Sequence, residues 1–394
     1  MIPPSTRPPA PARQPHTQTS TPSQRTLYQT RLDRGTEASN TEWGDTLSSP
    51  KHKSHIRIYS INIHGIGTTR KANTSTIDKQ SLREIYLQQL SYDIDILGLS
   101  ETNVNWTHMN THQTAQQIFD SGSPGGRIIS SCSPLTPQAH SLYQPGGTLI
   151  TLPKRLTGRI ASTIQDPMGR WCGVILKGRA KRQILLLQIY QVSQHTSAGT
   201  STAFAQQRSM LSQVNRHLTP RQAFIADLRV LLKASAEDPH LAIILMGDFN
   251  DDVTRPTSQT GKLMDDLHLI DIHRYSHYPN LPPETYIRGN TQLDYMFLSS
   301  NLLPYVSATG MDAYHAFHHS DHRGIWMDID LTKYLGAFPF TQLEKPSRLL
   351  NSADRSHVQK YRTKLTESWI KQDLNKQIQQ LSEATKNYQH HPGE

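Results

Sequence analysis

The tetrapeptide Gly247-Asp248-Phe249-Asn250 directly follows the apolar run Leu241–Met246. At a strand end, alternate side chains share a direction, so Asp248 and Asn250 point into one cleft while Phe249 anchors the opposite face. Such a pair suits phosphoester hydrolysis. The carboxylate orients or deprotonates a water, and the amide donates to the crowded oxygens of a phosphorane-like transition state. The same four residues also read as a plain turn, because Gly, Asp and Asn are turn formers. Alone, the tetrapeptide does not decide between them.

Other polar residues stand at the edges of apolar runs. Ser60-Ile61-Asn62-Ile63-His64-Gly65 closes the first run, Leu99-Ser100-Glu101-Thr102 the second, and Tyr190 ends the run 183–190. Gln292-Leu293-Asp294-Tyr295 opens a late run, and Ser320-Asp321-His322-Arg323 precedes the last one. These polar groups meet only if the runs are strands of one sheet system. Alternation predicts a strand at Ile56–Asn62, and short apolar runs predict others at Ile94–Leu99, 147–152, 171–177, 183–190, 292–298 and 325–329. The unbroken run Leu241–Met246 fits a strand buried on both faces. Irregular helical stripes cover 76–91 and 203–235, the latter interrupted at Pro220, and a Gly/Ser/Pro-rich loop is expected around 121–137. Strands mixed with helices over this length imply one α/β domain of two packed sheets.

Residues 1–54, rich in Pro, Ser, Thr and Gln, are expected to be a disordered tail, since they bury too little apolar surface to offset chain entropy. Residues 55–333 form the expected catalytic domain and 334–394 a linker with an amphipathic helix, read from Val358, Tyr361, Leu365, Trp369, Leu374, Ile378 and Leu381. The chain of 394 residues carries a net charge of +9, spread along its length. That surplus suits a polyanionic partner without excluding a small phosphorylated one. Two cysteines, Cys132 and Cys172, make no disulfide framework and no Cys-rich zinc site. With no long apolar run and no secretory signal, the expected place is nucleus or cytoplasm, not a membrane and not outside the cell.

Some residues have bland readings. His315, His318 and His319 lack the paired spacing of zinc ligands and read as loop residues. Trp171 reads as core. Gly146-Gly147 reads as a turn, since no helix follows to cradle a phosphate.

In this order the motifs resemble the endonuclease/exonuclease/phosphatase superfamily, which includes pancreatic-type deoxyribonucleases, abasic-site endonucleases and the endonuclease domains of non-LTR retrotransposons. The resemblance covers about residues 55–333 and implies a four-layered α/β sandwich with two central, mostly antiparallel sheets. It implies a Mg²⁺- or Mn²⁺-dependent phosphodiesterase. On the matching positions, Glu101, Asn62 and Asp321 are the implied metal-side residues, with Glu101 the principal ligand. Asp248 is the implied water-activating acid, Asn250 the phosphate-orienting amide, His322 the catalytic histidine, Asp294 its orienting acid, and Tyr190 a tyrosine near the scissile phosphate. The chemistry coheres on its own terms: Mg²⁺ prefers carboxylate oxygens, and a histidine beside Asp294 is favoured as imidazolium. His64 departs from the usual residue at its position and reads as a substrate contact or a tolerated loop residue.

Thr285-Tyr286 shortly before Leu293-Asp294-Tyr295 resembles the retrotransposon branch, and Thr285, Tyr286 and the intervening Arg288 and Gln292 are the candidate substrate contacts, to the backbone or a groove. The Trp-Cys-Asp-Arg stretch of inositol-phosphate phosphatases is absent. The expected function is therefore a DNA endonuclease of retrotransposon origin that nicks duplex DNA. A reverse transcriptase domain, expected in intact relatives, has no polymerase motif here. Two alternatives stay open: an RNA or small-molecule phosphodiesterase of the same superfamily, and a catalytically dead nucleic-acid-binding relic.

Overall fold

In the strand Ile56–Asn62, Ile56 and Ile58 join one buried cluster while Tyr59 and Ile61 join another, as the two-residue period of a strand dictates. Repeated strand after strand, this alternation builds two sheets with a shared interior and two outer faces. The structure is a computed structural model that describes residues 40–71, 74–121, 125–133, 141–194, 202–336 and 355–389.

The first sheet has seven strands. In spatial order they are β1 (Trp43–Gly44), β14 (Val306–Met311), β15 (Ile325–Ile329), β2 (Ile56–Asn62), β5 (Ile96–Ser100), β7 (Thr148–Leu152) and β6 (Arg127–Ser131). The second has six: β12 (Leu269–Asp271), β13 (Asp294–Ser299), β11 (Leu241–Asp248), β10 (Gln183–Tyr190), β9 (Trp171–Lys177) and β8 (Ile160–Gln165). A separate hairpin pairs β3 (Thr68–Lys71) with β4 (Thr74–Ile77). Each large sheet is antiparallel except for one pair, β2 with β5 and β10 with β11.

The sheets share an inner core that includes Ile58, Ile96, Ile150, Val174, Leu186, Ile244, Met296 and Met327. On the outer side of the first sheet, Leu97 and Leu99 pack with Leu82 and Ile85 of helix Lys79–Ser91 and Ala115 of helix Met109–Asp120. Beyond the second sheet, Leu187, Leu245 and Phe297 pack with Phe224, Leu228 and Leu232 of helix Pro220–Ala236. Each such side chain contributes about 1.5–3 kcal/mol relative to leaving it in water. The four layers are those the sequence leads one to expect. Helix Pro220–Ala236 starts where it does because Thr219 and Gln222 form a reciprocal cap and Pro220 takes the first turn.

Three expectations need correction. Residues 40–54, expected within a disordered tail, join the domain: β1 pairs with β14, and Leu47 is fully buried in the outer core of the first sheet. Arg57 Nη1 donates to the Leu47 carbonyl at 2.6 Å, and Arg323 Nη1 to the Thr41 carbonyl at 2.8 Å. The rest of that tail, residues 1–39, lies outside the described residues. The loop expected around 121–137 contains β6, whose Ile128 and Ile129 are buried on opposite faces. The amphipathic helix is two helices, Arg355–Lys371 and Leu374–Gln389, parted at Asp373 (φ +48°). They lie in a separate unit from the sandwich. Among the described residues no helix is long and apolar enough to cross a membrane.

Candidate active site

Both parallel pairs end on the same side of the sandwich in polar residues. β2 ends at Asn62 and β5 runs into Glu101; β10 ends at Tyr190 and β11 at Asp248. The antiparallel neighbours begin there: Asp294 is the first residue of β13, and His322 lies three residues before β15. The site therefore straddles the seam between the sheets, at the carboxyl ends of the parallel strands, where open α/β sheets place their ligands.

Asp248 and Asp294 are direct cross-strand partners in the second sheet. Like charges opposite one another are destabilising, and both side chains are buried. His322 resolves the conflict by coming across from the first sheet. Its Nδ1 lies 2.8 Å from Asp294 Oδ2. Burial alone would hold the imidazolium down, but Asp294, through charge and hydrogen bond, with Asp248 and Asp321, pushes it up to about 10. Burial and the Asp294 charge together push Asp248 up to about 7, against the pull of His322 and Asn62. Thr285 Oγ1 accepts from Leu293 N (2.9 Å) and Asp294 N (3.0 Å), fixing the start of β13.

Two asparagines hold the carboxylates in place. Asn62 Nδ2 donates to Asp248 Oδ2 at 2.9 Å and to Glu101 Oε2 at 3.1 Å, bridging the two sheets. Asn250 Nδ2 donates to Asp248 Oδ2 and to the Gln191 carbonyl, both at 2.8 Å, and Asn250 N donates to Asp248 Oδ1 at 2.8 Å. Glu101, His64 and Asn250 all sit at left-handed φ (+52°, +51° and +45°). Backbone of this kind costs on the order of 1–3 kcal/mol per residue and gathers at functional sites. Burial, then the charges of Glu101 and Asp248, push Tyr190 well above the usual phenol range, so it stays a neutral donor that bonds Glu101.

The expected residues fall into distinct places. Asn62, Glu101, Tyr190, Asp248, Asn250, Asp294 and His322 converge. Asp321 joins the charges around His322, and its carbonyl accepts from Ile287 N at 2.9 Å. Tyr286 bridges to His322 in the backbone, with ring centroids 5.1 Å apart. Arg288 is exposed, and Gln292 Nε2 donates to the Asp294 carbonyl at 3.0 Å. Thr285, expected as a substrate contact, is fully buried and acts on the backbone. His64 is largely exposed, with Nδ1 3.6 Å from Glu101 Oε1. Trp171 is core, as read, packing on Phe224.

Sequence reasoning missed Arg221, which donates to the carbonyls of Val192 (3.1 Å) and Asn250 (2.9 Å) and so fixes the loop after β11. Nothing in its local pattern distinguishes it from a surface arginine of a helix.

Among the described residues, one group of three His/Cys/Asp/Glu brings potential ligand atoms within 4.8 Å of each other: Asp248, Asp294 and His322. Asp294 Oδ1 is buried and has no hydrogen-bond partner among the described residues. An orphan carboxylate oxygen beside a second buried acid, Asp248, fits a hard divalent cation.

The sequence profile of the Endonuclease/Exonuclease/phosphatase family matches residues 59–322. The chain belongs to that family. Among solved structures it is similar to an AP endonuclease, LMAP, from Leishmania major, at 16% identity and TM-score 0.51 over 72% of this chain and 90% of that one. The catalytic domain of human Nocturnin follows at 18% identity and TM-score 0.46, over 71% and 95%. The endonuclease domain of TRAS1, a telomere-specific non-LTR retrotransposon, aligns at 17% identity and TM-score 0.37, over 70% and 98%. No curated protein matches in sequence. Family membership makes the clustered acids and histidine the active site of a metal-dependent phosphoesterase.

Proposed function

We propose that this chain is a DNA endonuclease of the retrotransposon type, nicking duplex DNA with a Mg²⁺ or Mn²⁺ ion. The observation that carries the hydrolytic chemistry is the meeting of Asp248, Asp294 and His322 across the sheet seam. Asp248, held near neutrality and fixed by Asn62 and Asn250, accepts a proton from the attacking water. The water oxygen bonds to phosphorus as the bond to the leaving oxygen breaks. His322, kept protonated by Asp294, donates through Nε2 to the developing charge. Tyr190 remains a neutral donor beside Glu101. A divalent ion held by Glu101 and its carboxylate neighbours would supply positive charge to the phosphoryl oxygens. In this arrangement Asn250 is first a holder of Asp248, and only through it an organiser of the phosphate.

DNA as the substrate rests on the basic chain, on Tyr286 beside His322, on exposed Arg288, and on the Thr-Tyr stretch upstream of Asp294. The test is nicking of supercoiled plasmid by the full 394-residue chain, with Mg²⁺, with EDTA, and with Asp248→Ala and His322→Ala. A fragment starting at residue 55 would lack β1 and buried Leu47. Open circles that need metal and vanish in both variants support the reading. Metal-dependent hydrolysis of RNA or a small phosphodiester, with DNA untouched, moves the substrate elsewhere. Metal-independent DNA binding without turnover identifies a relic.

A further inference from the structure

The inner core between the sheets is mainly apolar, and a polar cluster crosses it directly beneath the active site. There Gln188 of β10 is fully buried and reaches from the second sheet to the first. Its Nε2 donates to Ser100 Oγ at 2.7 Å, and its Oε1 accepts from Ser60 Oγ at 2.9 Å. Ser100 Oγ donates in turn to the Ile189 carbonyl, at 2.7 Å, back in the second sheet. Room for the carboxamide comes from two glycines. A Cβ on Gly98 would lie 1.9 Å from Gln188 Oε1, and one on Gly247 3.0 Å from Nε2.

Every member of this cluster neighbours a residue of the site. Ser60 is two residues before Asn62 on the same face of β2, and Ser100 directly precedes Glu101. Gln188 is two before Tyr190, and Gly247 directly precedes Asp248. Apolar contact between sheets is non-directional and tolerates sliding. Hydrogen bonds with fixed donors and acceptors do not, and a buried polar network favours one arrangement.

We propose that Gln188 is a positioning residue: with Ser60 and Ser100 it forms a polar clasp that fixes how the metal-side half of the site, Asn62 and Glu101, faces the half carrying Asp248 and Asp294. The reading of the site as a phosphodiesterase supplies the functional consequence; the clasp itself is a geometric statement.

The experiment is Gln188→Met in the full chain, a near-isosteric change that removes both hydrogen bonds. Three readouts apply: a crystal structure of the metal-free variant, Mn²⁺ affinity by titration, and plasmid-nicking kcat and KM. Leu186→Ala, two residues earlier on the same inner face of β10, is the control for loss of stability alone. The clasp predicts loss of the 2.9 Å Asn62–Asp248 bond. It also predicts a fall in Mn²⁺ affinity and kcat of about 10–100-fold, as for other supporting partners of metal ligands, with KM little changed. Leu186→Ala should melt earlier yet keep Mn²⁺ affinity. A folded Gln188→Met that keeps both the Asn62–Asp248 bond and wild-type Mn²⁺ affinity overturns the proposal. If Gln188→Met does not fold, Ser60→Ala, which removes one bond, is judged on the same structural criterion. If the wild-type chain nicks no DNA, the nuclease reading fails, while the Asn62–Asp248 distance still decides the clasp.

Discussion

Asp294→Asn keeps the shape of the side chain but takes away the charge that dominates the protonation of His322. In the wild-type site the imidazolium persists up to about pH 10, and Asp248 loses its proton only near 7. The acid is competent below its pKa and the base above its own, so activity should plateau between those values and fall on either side. In the variant both move the same way. His322 loses its principal partner while burial still disfavours its charge, and Asp248 loses the neighbour that repels its ionised form. With the histidine returned to an ordinary value of about 6.5, its protonated fraction at pH 8.5 falls from roughly 0.97 to roughly 0.01, but at pH 5.5 stays near 0.9. Through His322 alone the wild-type-to-variant ratio should be about 100-fold larger at pH 8.5 than at pH 5.5; the lowered pKa of Asp248, which restores base in the variant at acid pH, widens that contrast further, and the optimum should move to acid. The assay, on the proposed nuclease activity, is initial nicking rate at saturating Mg²⁺ and fixed ionic strength, since binding to a phosphate backbone depends on salt. A ratio that stays constant across this range would refute the electrostatic role of Asp294 and leave it only a steric one.

Two further predictions concern the fold. Leu47→Ala should destabilise the domain by about 2–5 kcal/mol in a denaturant titration, as for other buried leucines; a change within error would mean that the segment before β2 is an ornament of the sheet. Asp312 is a buried carboxyl pushed up to about 7, by burial first, with Glu42 adding and the Tyr59 hydrogen bond and Arg323 opposing. The folded chain then holds a proton that the unfolded chain has lost, so Asp312 makes stability fall as pH rises from about 4 to 7. Asp312→Asn should gain thermal stability over wild type as pH rises from 4.5 to 7.5; parallel melting curves would remove Asp312 from that account.

Much of the architecture was legible because it depends on local pattern. Strands 171–177, 183–190 and 325–329 were read at their observed limits, since β-branched and aliphatic residues bounded by polar ones leave little freedom. The convergence of Asn62, Glu101, Asp248, Asp294 and His322 followed from polar residues at strand ends. What escaped depends on partners distant in sequence. β14, with the small residues Val306–Met311, carries a weak signal and is a strand because β15 and β1 flank it. Trp43 and Leu47 are isolated apolar residues in a polar stretch, and only the finished sheet gives them a place. Gln188 reads as an interruption in Leu185-Leu186-Leu187-Gln188-Ile189; its value lies in two serines, each more than 80 residues away in sequence. Thr285 was recognised as important but for the wrong contact, since a hydroxyl that serves the backbone and one that serves a ligand look alike in sequence.

The pairing of β2 with β15 joins the start of the catalytic domain to its end. During synthesis, Asn62, Glu101, Tyr190 and Asp248 leave the ribosome long before His322. Until the last strand emerges, β2 has one open edge, and the histidine that balances Asp248 and Asp294 is missing. A nascent polypeptide thus carries most of a phosphoesterase site without being an enzyme, and a message broken before codon 322 yields no complete site. The same topology leaves that edge available to wrong partners during translation.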